Sequence, residues 1–463
     1  DFALEAGNVA GFEFDADAKA AAVAAVNGVT EDQATVDAAK AATDAYVADG
    51  TVPGTVGQTF TLTAEADNFV GTADADTFQA VEGTGSAGTL TVFDKLDGGA
   101  GEDTLELISN GTVAIPGGVS IKNIETVNIT RDSASGSFNA SVFGGATQIW
   151  QIDDAAVIEG LVDGQTAGFR DTAVQAVDAV TYDDGATTAS IALDNVTDGA
   201  TLNIDGDDVE TVNVSGSINA TAATLIIDLG DNGAGSADAV TALNLSLEGN
   251  TALTVSGSNG AELETVNASG TTGGITYSLP TLKSADAYAL ESITGGSGND
   301  KLNIGSLNNL SADTFTVSGG AGNDVMDINN TGNGGTAVAV TVIGGAGSDT
   351  LKLAALVNIT DASEDNFMDS LITFADFNGD EDVLDITGTL GTLSNTQRAN
   401  IAAEDNLYDA LVNAAAQATG TVAFDFGGDA YVYTNDNSAF DAGDGLVKLA
   451  GFSVENFDAS NLI

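Results

Sequence analysis

From Thr59 onwards, apolar and polar residues alternate over short runs that end at glycine, aspartate or asparagine. Phe60 and Leu62 share one face of such a run, and Val127 is an apolar residue between polar neighbours in a later run. Successive side chains of a strand point to opposite faces of its sheet, so each run predicts a short strand with one buried face. The chain up to about residue 390 is therefore predicted to be mostly β.

The two ends of the chain depart from this pattern. Residues 1–57 are rich in alanine. They predict a short helix over residues 18–26 and a second helix over residues 30–48, which begins with a capping box. Near the other end, residues 395–418 have helical spacing, and the Gly-Gly-Asp at 427–429 joins two apolar runs as a hairpin. A helical N-terminal segment and an α+β C-terminal cap are predicted.

Four copies of one nine-residue phrase begin at Gly98, Gly295, Gly319 and Gly344. The phrase is Gly-Gly-x-Gly-x-Asp-x-U-x, where U is a large apolar residue. Glycine tolerates positive φ and close backbone approach, so the run curls tightly and directs carbonyl oxygens inward. The aspartate adds a carboxylate, and Ca²⁺ takes about six to eight hard oxygen ligands in irregular geometry. The phrase therefore predicts calcium sites, and the alternative interpretation of each copy is a plain glycine-rich turn.

The last three copies begin at residues 295, 319 and 344, which gives steps of 24 and 25 residues. A near-constant period is typical of a solenoid. We expect Asp300, Asp324 and Asp349 to form one column along an edge of a parallel β-roll, with ions between successive turns. A degenerate copy at residues 69–78 adds two aspartates. The candidate metal ligands are Gly98, Gly99, Gly101, Asp103, Gly295, Gly296, Gly298, Asp300, Gly319, Gly320, Gly322, Asp324, Gly344, Gly345, Gly347, Asp349, Asp74 and Asp76.

A second phrase, Ile-Glu-Thr-Val-Asn at residues 124–128, recurs at residues 209–213 and 263–267 and more loosely at 290–294. Its spacings of 85, 54 and 27 residues are near multiples of 27–28 and indicate coils of a β-helix with insertions. Two interpretations of its asparagine remain open. It either stacks as a side-chain ladder inside the solenoid or simply ends a strand.

The composition of the chain excludes several kinds of partner and of catalytic site. The chain has 463 residues, with 11 basic against 68 acidic residues and a net charge of −57. Nucleic acid and anionic membranes are therefore not expected as partners, and self-repulsion opposes compaction unless cations bind. A solvated acidic surface adapted to salt is the alternative. Cysteine and histidine are absent, which excludes disulfides and histidine-based zinc sites, general bases and catalytic triads. No apolar run is long enough to span a membrane.

The nonapeptides resemble those of RTX proteins, which leave Gram-negative cells by type I secretion with an uncleaved C-terminal signal. Residues 374–463 are similar to the ends of such substrates. Residues 58–131 resemble RTX-type surface-layer (S-layer) proteins in the run Gly71–Phe78, the nonapeptide at Gly98, Pro116-Gly117-Gly118-Val119 and the phrase at 124–128. The resemblance implies Ca²⁺ binding, secretion to the cell surface and homo-oligomeric lattice assembly. An anchoring domain of that family is not recognisable here, so any contact with cell-surface polysaccharide is expected from regions outside this chain.

The leading interpretation is a structural, calcium-stabilised S-layer protein without enzymatic activity. The alternative is a secreted RTX adhesin or filament protein. A polysaccharide lyase or carboxylate-pair glycosidase is disfavoured, because the chain has few basic residues and only Trp150 to stack on a sugar. Four segments are predicted: a helical segment at 1–57, a degenerate β-solenoid at 58–290, a calcium β-roll at 291–390, and a cap with the secretion signal at 391–463.

Overall fold

A computed structural model describes residues 57–82, 88–109, 113, 115–131, 137–172, 179–229, 240–256, 262–278, 289–306, 310–329, 338–353, 359, 361–386, 389–435, 437–457 and 460–463, together with Val36 and Lys40. Those two residues are helical, and the rest of the predicted N-terminal helices lies outside the described residues. The chain divides into two compact units. The first comprises residues 1–108, 115–128 and 143–146, and the second comprises the remainder.

The first unit is built from short parallel strands, as the alternation predicts. β1 pairs with β3 in register from Thr59 opposite Thr77, and β2, β4 and β6 pair in a second sheet. The rings of Phe60 and Phe78 stack at 5.0 Å between coils. The strands are β1 (Thr59–Thr61), β2 (Asn68–Val70), β3 (Thr77–Glu82), β4 (Lys95–Asp97) and β6 (Ser120–Lys122), together with β5 (Thr104–Ser109) and β7 (Thr126–Arg131), whose last residues are assigned to the second unit.

The second unit continues the same principle over many more strands. They are β8 (Ser137–Asn139), β9 (Gln148–Ile152), β10 (Val157–Leu161), β11 (Thr166–Arg170), β12 (Ala179–Tyr182), β13 (Thr188–Thr197), β14 (Ala200–Asp205), β15 (Thr211–Asp228), β16 (Ala242–Ser256), β17 (Thr265–Asn267), β18 (Ile275–Ser278), β19 (Ser292–Thr294), β20 (Lys301–Ser306), β21 (Thr314–Ala321), β22 (Val325–Asn329), β23 (Ala339–Ala346), β24 (Thr350–Leu353), β25 (Ile372–Phe374) and β26 (Val383–Ile386). Short 3-10 helices span Ala140–Phe143, Phe367–Ser370 and Val454–Asn456.

Two parallel faces result, because a strand pairs with the strand one coil further on. The front face consists of β9, β11, β13, the first halves of β15 and β16, and then β17, β19, β21, β23 and β25. The back face consists of β10, β12, β14, the second halves of β15 and β16, and then β18, β20, β22, β24 and β26. This is a parallel β-solenoid, mostly β as predicted.

Inward side chains stack in columns and form the core. On the front face one column is Val212, Leu243, Val266, Ile293, Val317 and Val342, all at most 3 % exposed. A slip of one residue would turn such a column outward, so the burial of these side chains fixes the register. Because the register is fixed, residues at equivalent positions of successive coils lie directly above one another. This is what brings the repeated corners together.

The C-terminal cap closes the solenoid with mixed structure. Residues 395–418 form two helices, α1 (Asn395–Ala402) and α2 (Leu407–Gln417), where the sequence predicts one. The break has a local cause, since the Asn406 side chain accepts a hydrogen bond from the Asp409 N–H and starts a new helix. β27 (Gly420–Phe426) and β28 (Asp429–Asn435) form the predicted antiparallel hairpin. β29 (Gly445–Leu449) pairs with β28 and with β25, which joins the cap to the front face.

Candidate calcium site

Four aspartates occupy the same corner of four successive coils in the second unit. Asp300, Asp324, Asp349 and Asp382 each stand just before a back-face strand, namely β20, β22, β24 and β26. All four are buried, with exposures of 0, 0, 1 and 4 %. Carboxylates are almost never fully buried without a partner. The predicted column is therefore present, and it has one member more than the sequence predicts.

Hydrogen bonds tie each aspartate to the coil before it. The Asp300 N–H donates to Oδ1 of Asp324 at 2.7 Å, and the Asp324 N–H donates to Oδ1 of Asp349 at 2.9 Å. The Asp349 N–H donates to Oδ1 of Asp382, also at 2.9 Å. The ladder begins at Ile275, whose N–H donates to Oδ1 of Asp300 at 2.6 Å. At the corner, one oxygen of each carboxylate thus accepts the backbone N–H that a carbonyl oxygen of the neighbouring coil would accept within a strand.

The second oxygen of the carboxylate lies over the first glycine of its own copy. Oδ2 of Asp300 accepts the Gly296 N–H at 2.7 Å. Oδ2 of Asp324 and of Asp349 is buried without any hydrogen-bond partner, and so is Oδ2 of Asp103 in the first unit. A buried carboxylate oxygen without a donor is strongly unfavourable unless a cation or a proton satisfies it. The corners therefore fit a bound cation.

The glycines of each copy permit carbonyl oxygens to approach the next coil. A Cβ on Gly345 would lie 1.8 Å from the carbonyl oxygen of Gly320, and one on Gly347 would lie 1.8 Å from that of Gly322. Both positions have positive φ, 98° and 134°. No other residue fits there. The second and third glycines therefore stack hard carbonyl oxygens at the corner, which is the ligand chemistry that Ca²⁺ prefers.

Burial also changes the acidity of the column. Removal from water raises the pKa of Asp324 to about 7, opposed by the hydrogen bond from Asp300 and reinforced by the neighbouring carboxylates. Burial likewise raises the pKa of Asp349 to about 6. The pKa values of Asp300 and Asp382 are raised for the same reason. Without a cation, Asp324 in the folded column would be partly protonated near neutral pH.

None of the basic side chains that the structure describes pairs with the aspartates of this corner. Within the described residues, the ion pairs are Arg170–Asp194, Lys352–Asp327 and Lys448–Asp429, and none involves the column. The described residues also contain no group of three acidic side chains that converges on one point. A cation at these corners would therefore draw on one or two carboxylates and complete its shell with backbone carbonyl oxygens, as the glycine geometry allows.

The first unit repeats the arrangement on a smaller scale. The Asp76 N–H donates to Oδ1 of Asp103 at 2.7 Å, and the Asp103 N–H donates to Oε2 of Glu125 at 2.8 Å. Asp76 differs from Asp103, because its Oδ2 already accepts the Thr72 N–H at 2.5 Å. Asp74 is only partly buried and lies beside Gly101, on which a Cβ would come within 2.6 Å of the Asp74 carbonyl carbon. The structure thus groups Asp76 and Asp103 in one ladder.

Three residues of these corners escape prediction from the nonapeptide. Glu125 takes the aspartate's place in the first unit, and Asp382 takes it in the second. Asp376 accepts the N–H groups of Gly344 and Gly345, both at 2.9 Å. The signal in the sequence that could identify Glu125 and Asp382 is the second half of the nonapeptide. Residues 382–385 read Asp-Val-Leu-Asp and residues 125–128 read Glu-Thr-Val-Asn, so both keep the acidic-x-U-x tail after the glycines are lost.

Comparison with known families agrees with this geometry. The RTX calcium-binding nonapeptide repeat matches residues 93–106, 291–310 and 316–327, with four copies. No curated protein matches the chain. Within the described residues, none of the helices is both long and apolar enough to cross a membrane. The nonapeptides are calcium-binding motifs, and their presence on a parallel β-solenoid defines a calcium-binding repeat protein. The combination fits an RTX-type protein.

Proposed function

We propose that this chain is a secreted structural protein, without enzymatic activity, that Ca²⁺ folds and that assembles into a two-dimensional lattice on the cell surface. The observation that carries the proposal is the column of buried aspartates with orphaned oxygens at Asp324 and Asp349. In a chain of net charge −57, such a column holds together only when cations are bound. The ligands would be the column aspartates and the stacked glycine carbonyls.

Ca²⁺ then acts as a switch between compartments. Extracellular calcium modules have dissociation constants of about 10⁻⁴–10⁻³ M, so they fill outside the cell and remain empty in the calcium-poor cytosol. Because the corner is assembled only in the folded chain, binding free energy becomes folding free energy. An unfolded, acidic chain suits export by type I secretion, and folding follows outside.

Lattice assembly is supported by the resemblance of residues 58–131 to S-layer proteins and by the electrostatics of the chain. Two copies that each carry −57 repel one another unless cations lie between them. Ca²⁺ bridging acidic surfaces of neighbouring copies would supply both attraction and register. The same ion would then serve folding within a copy and contact between copies.

Electron microscopy of the purified chain tests this proposal. Ordered two-dimensional sheets are expected with millimolar Ca²⁺, and dispersed chains are expected with excess EGTA. Mg²⁺ at the same concentration is the control for simple charge screening, since its octahedral preference suits these corners poorly. Folded monomers in Ca²⁺ that never form sheets would contradict lattice assembly. Such monomers adhering to cells would favour the adhesin instead.

A further inference from the structure

The front face of the second unit is free of charge over three columns of outward positions. The first column is Thr188, Thr211, Ala242, Thr265, Ser292, Thr316, Thr341 and Thr373. The second is Gln148, Thr166, Ser190, Asn213, Asn244, Asn267, Thr294 and Ser318. The third is Trp150, Gly168, Ala192, Ser215 and Ser246. The back face, by contrast, carries Lys301, Asp327, Lys352 and Asp385 at its outward positions.

A groove of about 270 Å³ runs between the second and third columns. Its lining includes the amides of Asn213, Asn244 and Asn267 on one side and the hydroxyls of Ser215 and Ser246 on the other. Nδ2 of Asn244 donates to Oδ1 of Asn213 at 2.9 Å, and Nδ2 of Asn267 donates to Oδ1 of Asn244 at 3.4 Å. The asparagines of the second phrase thus form a ladder, but it lies on the outside of the solenoid.

The ladder leaves hydrogen-bond donors and acceptors that face the groove. An asparagine has two N–H donors and two lone pairs on its oxygen, and a ladder bond uses one of each. Asn244, the middle member, therefore keeps one donor and one lone pair. Ser246 donates its hydroxyl proton to the carbonyl of Gly270 at 3.2 Å and keeps its own lone pairs. Coils repeat at about 4.8 Å, so the groove offers paired donors and acceptors at a regular short interval.

We infer that this groove binds a neutral linear glycan lying along the solenoid axis. Vicinal sugar hydroxyls both donate and accept, which matches the paired valences of the amide ladder and the serines. Glu210, Glu264 and Glu291 are exposed along the corner that precedes these strands, so an anionic polymer would be repelled. A second copy of the chain brings its own −57 charge to the same place, and a neutral glycan brings none. The site does not depend on lattice assembly.

Trp150 lies beyond the groove, further along the third column. Its indole lies over Gly168, where a Cβ would come within 2.3 Å of the ring, and the Arg170 guanidinium lies 4.5 Å from the ring centroid. Three strand steps separate Trp150 from Ser215, or about 14 Å along the axis. Because Gly168 and the Arg170 guanidinium already lie against this ring, the glycan is held by the amides and hydroxyls of the groove and not by stacking on Trp150.

The test uses the calcium-loaded chain and soluble oligosaccharides. Maltohexaose, cellohexaose and mannohexaose are the neutral probes, an alginate oligomer is the anionic probe, and binding is measured by titration calorimetry. Asn244→Asp places a charge in the ladder without changing its shape, and Ser246→Tyr fills the groove at an exposed position. Asn303→Asp is the matched control, because Asn303 is an exposed residue of the back-face strand β20. Circular dichroism in Ca²⁺ establishes that each variant is folded.

We expect at least one neutral probe to bind, the alginate oligomer not to bind, and both groove variants to lose at least about tenfold in affinity while Asn303→Asp does not. The inference is overturned if no neutral probe binds with a dissociation constant below about 10 mM. It is equally overturned if binding is unchanged in both groove variants. A change in sedimentation of the sugar-free chain on Asn244→Asp would show that this face contacts a second copy instead.

Discussion

The backbone N–H of Asp324 donates a 2.9 Å hydrogen bond to Oδ1 of Asp349, while Oδ2 of the same carboxylate is buried without a partner. One oxygen therefore connects two coils through the protein itself, and the other is left for a cation. Asp324 stands in the same relation to Asp300. The column is consequently a structural ladder and a row of candidate ligands, and substitution can separate the two roles.

Asp324→Asn should change stability in opposite directions with and without Ca²⁺. The amide retains an oxygen for the Asp300 N–H but removes a buried charge. We expect the calcium-loaded variant to lose at least about tenfold in calcium affinity, because a carboxylate ligand is gone. In EGTA at neutral pH the same variant should retain more far-ultraviolet β signal than the parent chain, because the desolvated charge no longer opposes folding. Calorimetry measures the calcium affinity, and circular dichroism measures the folded fraction in EGTA.

Asp327→Asn is the control for that experiment. Asp327 lies three residues further along, on the back face, and pairs with Lys352 at 3.4 Å. Its loss removes the same formal charge from a partly exposed position, where ion pairs contribute about 0–1 kcal/mol. Equal effects of the two substitutions would mean that overall charge, and not the buried corner, controls calcium dependence.

The calcium-free chain should be more stable in acid than at neutral pH. Burial raises the pKa of Asp324 to about 7 and that of Asp349 to about 6, against an ordinary value of 3.8. A group whose pKa is raised by folding adds stability that is complete below its unfolded pKa and is lost as the pH rises through its folded pKa. In EGTA, the folded fraction measured by circular dichroism should therefore fall as the pH rises from about 4 to about 7. The fall should be shallower in Asp324→Asn than in Asp327→Asn, and equal slopes would contradict the assignment to the column.

Two glycine substitutions separate backbone strain from the close stacking of coils. Gly345 and Gly185 both have positive φ, 98° and 88°. A Cβ on Gly345 would lie 1.8 Å from the Gly320 carbonyl oxygen, whereas a Cβ on Gly185 meets nothing within 4 Å. Both alanine variants should lose about 1–2 kcal/mol to strain. Gly345→Ala should lose about 1–3 kcal/mol more, because the coils must separate. Urea unfolding in saturating Ca²⁺ measures the difference, and equal losses would mean that the corner is not tightly stacked.

The column was predictable because period and register reinforce one another. Steps of 24 and 25 residues place Asp300, Asp324 and Asp349 in line once inward side chains such as Val317 fix the strands. Asp382 does not follow from the nonapeptide, because that phrase is defined by its glycines. Its turn keeps the acidic residue and the apolar residue two positions later but replaces the glycines. The repeat is therefore better defined by its carboxylate and its buried strand residue than by its loop.

The asparagines of the second phrase lie on the outer face of the solenoid, which the alternation of their neighbours predicts. Val212 and Val214 are buried, so alternation alone places Asn213 on the outer face. An internal ladder was therefore the wrong interpretation. The alternative, that the asparagine ends a strand, holds at Asn267, where β17 ends, but not at Asn213, since β15 continues to Asp228. The 54-residue step between the copies at 209–213 and 263–267 spans two coils, because residues 242–244 pair with residues 211–213 on one side and with residues 265–267 on the other. Ala-Leu-Asn at that position lacks the threonine and glutamate that made the other copies recognisable.

Removal of Ca²⁺ from the intact chain tests the central claim most directly. Trp150 is the single tryptophan, and it lies on β9, far along the chain from the nonapeptides of the second unit. Far-ultraviolet circular dichroism and Trp150 fluorescence are recorded at neutral pH as EGTA is added and Ca²⁺ is then restored. We predict loss of the β signal with a shift of the tryptophan emission, and recovery of both on restoration. Unchanged spectra in excess EGTA would contradict the account.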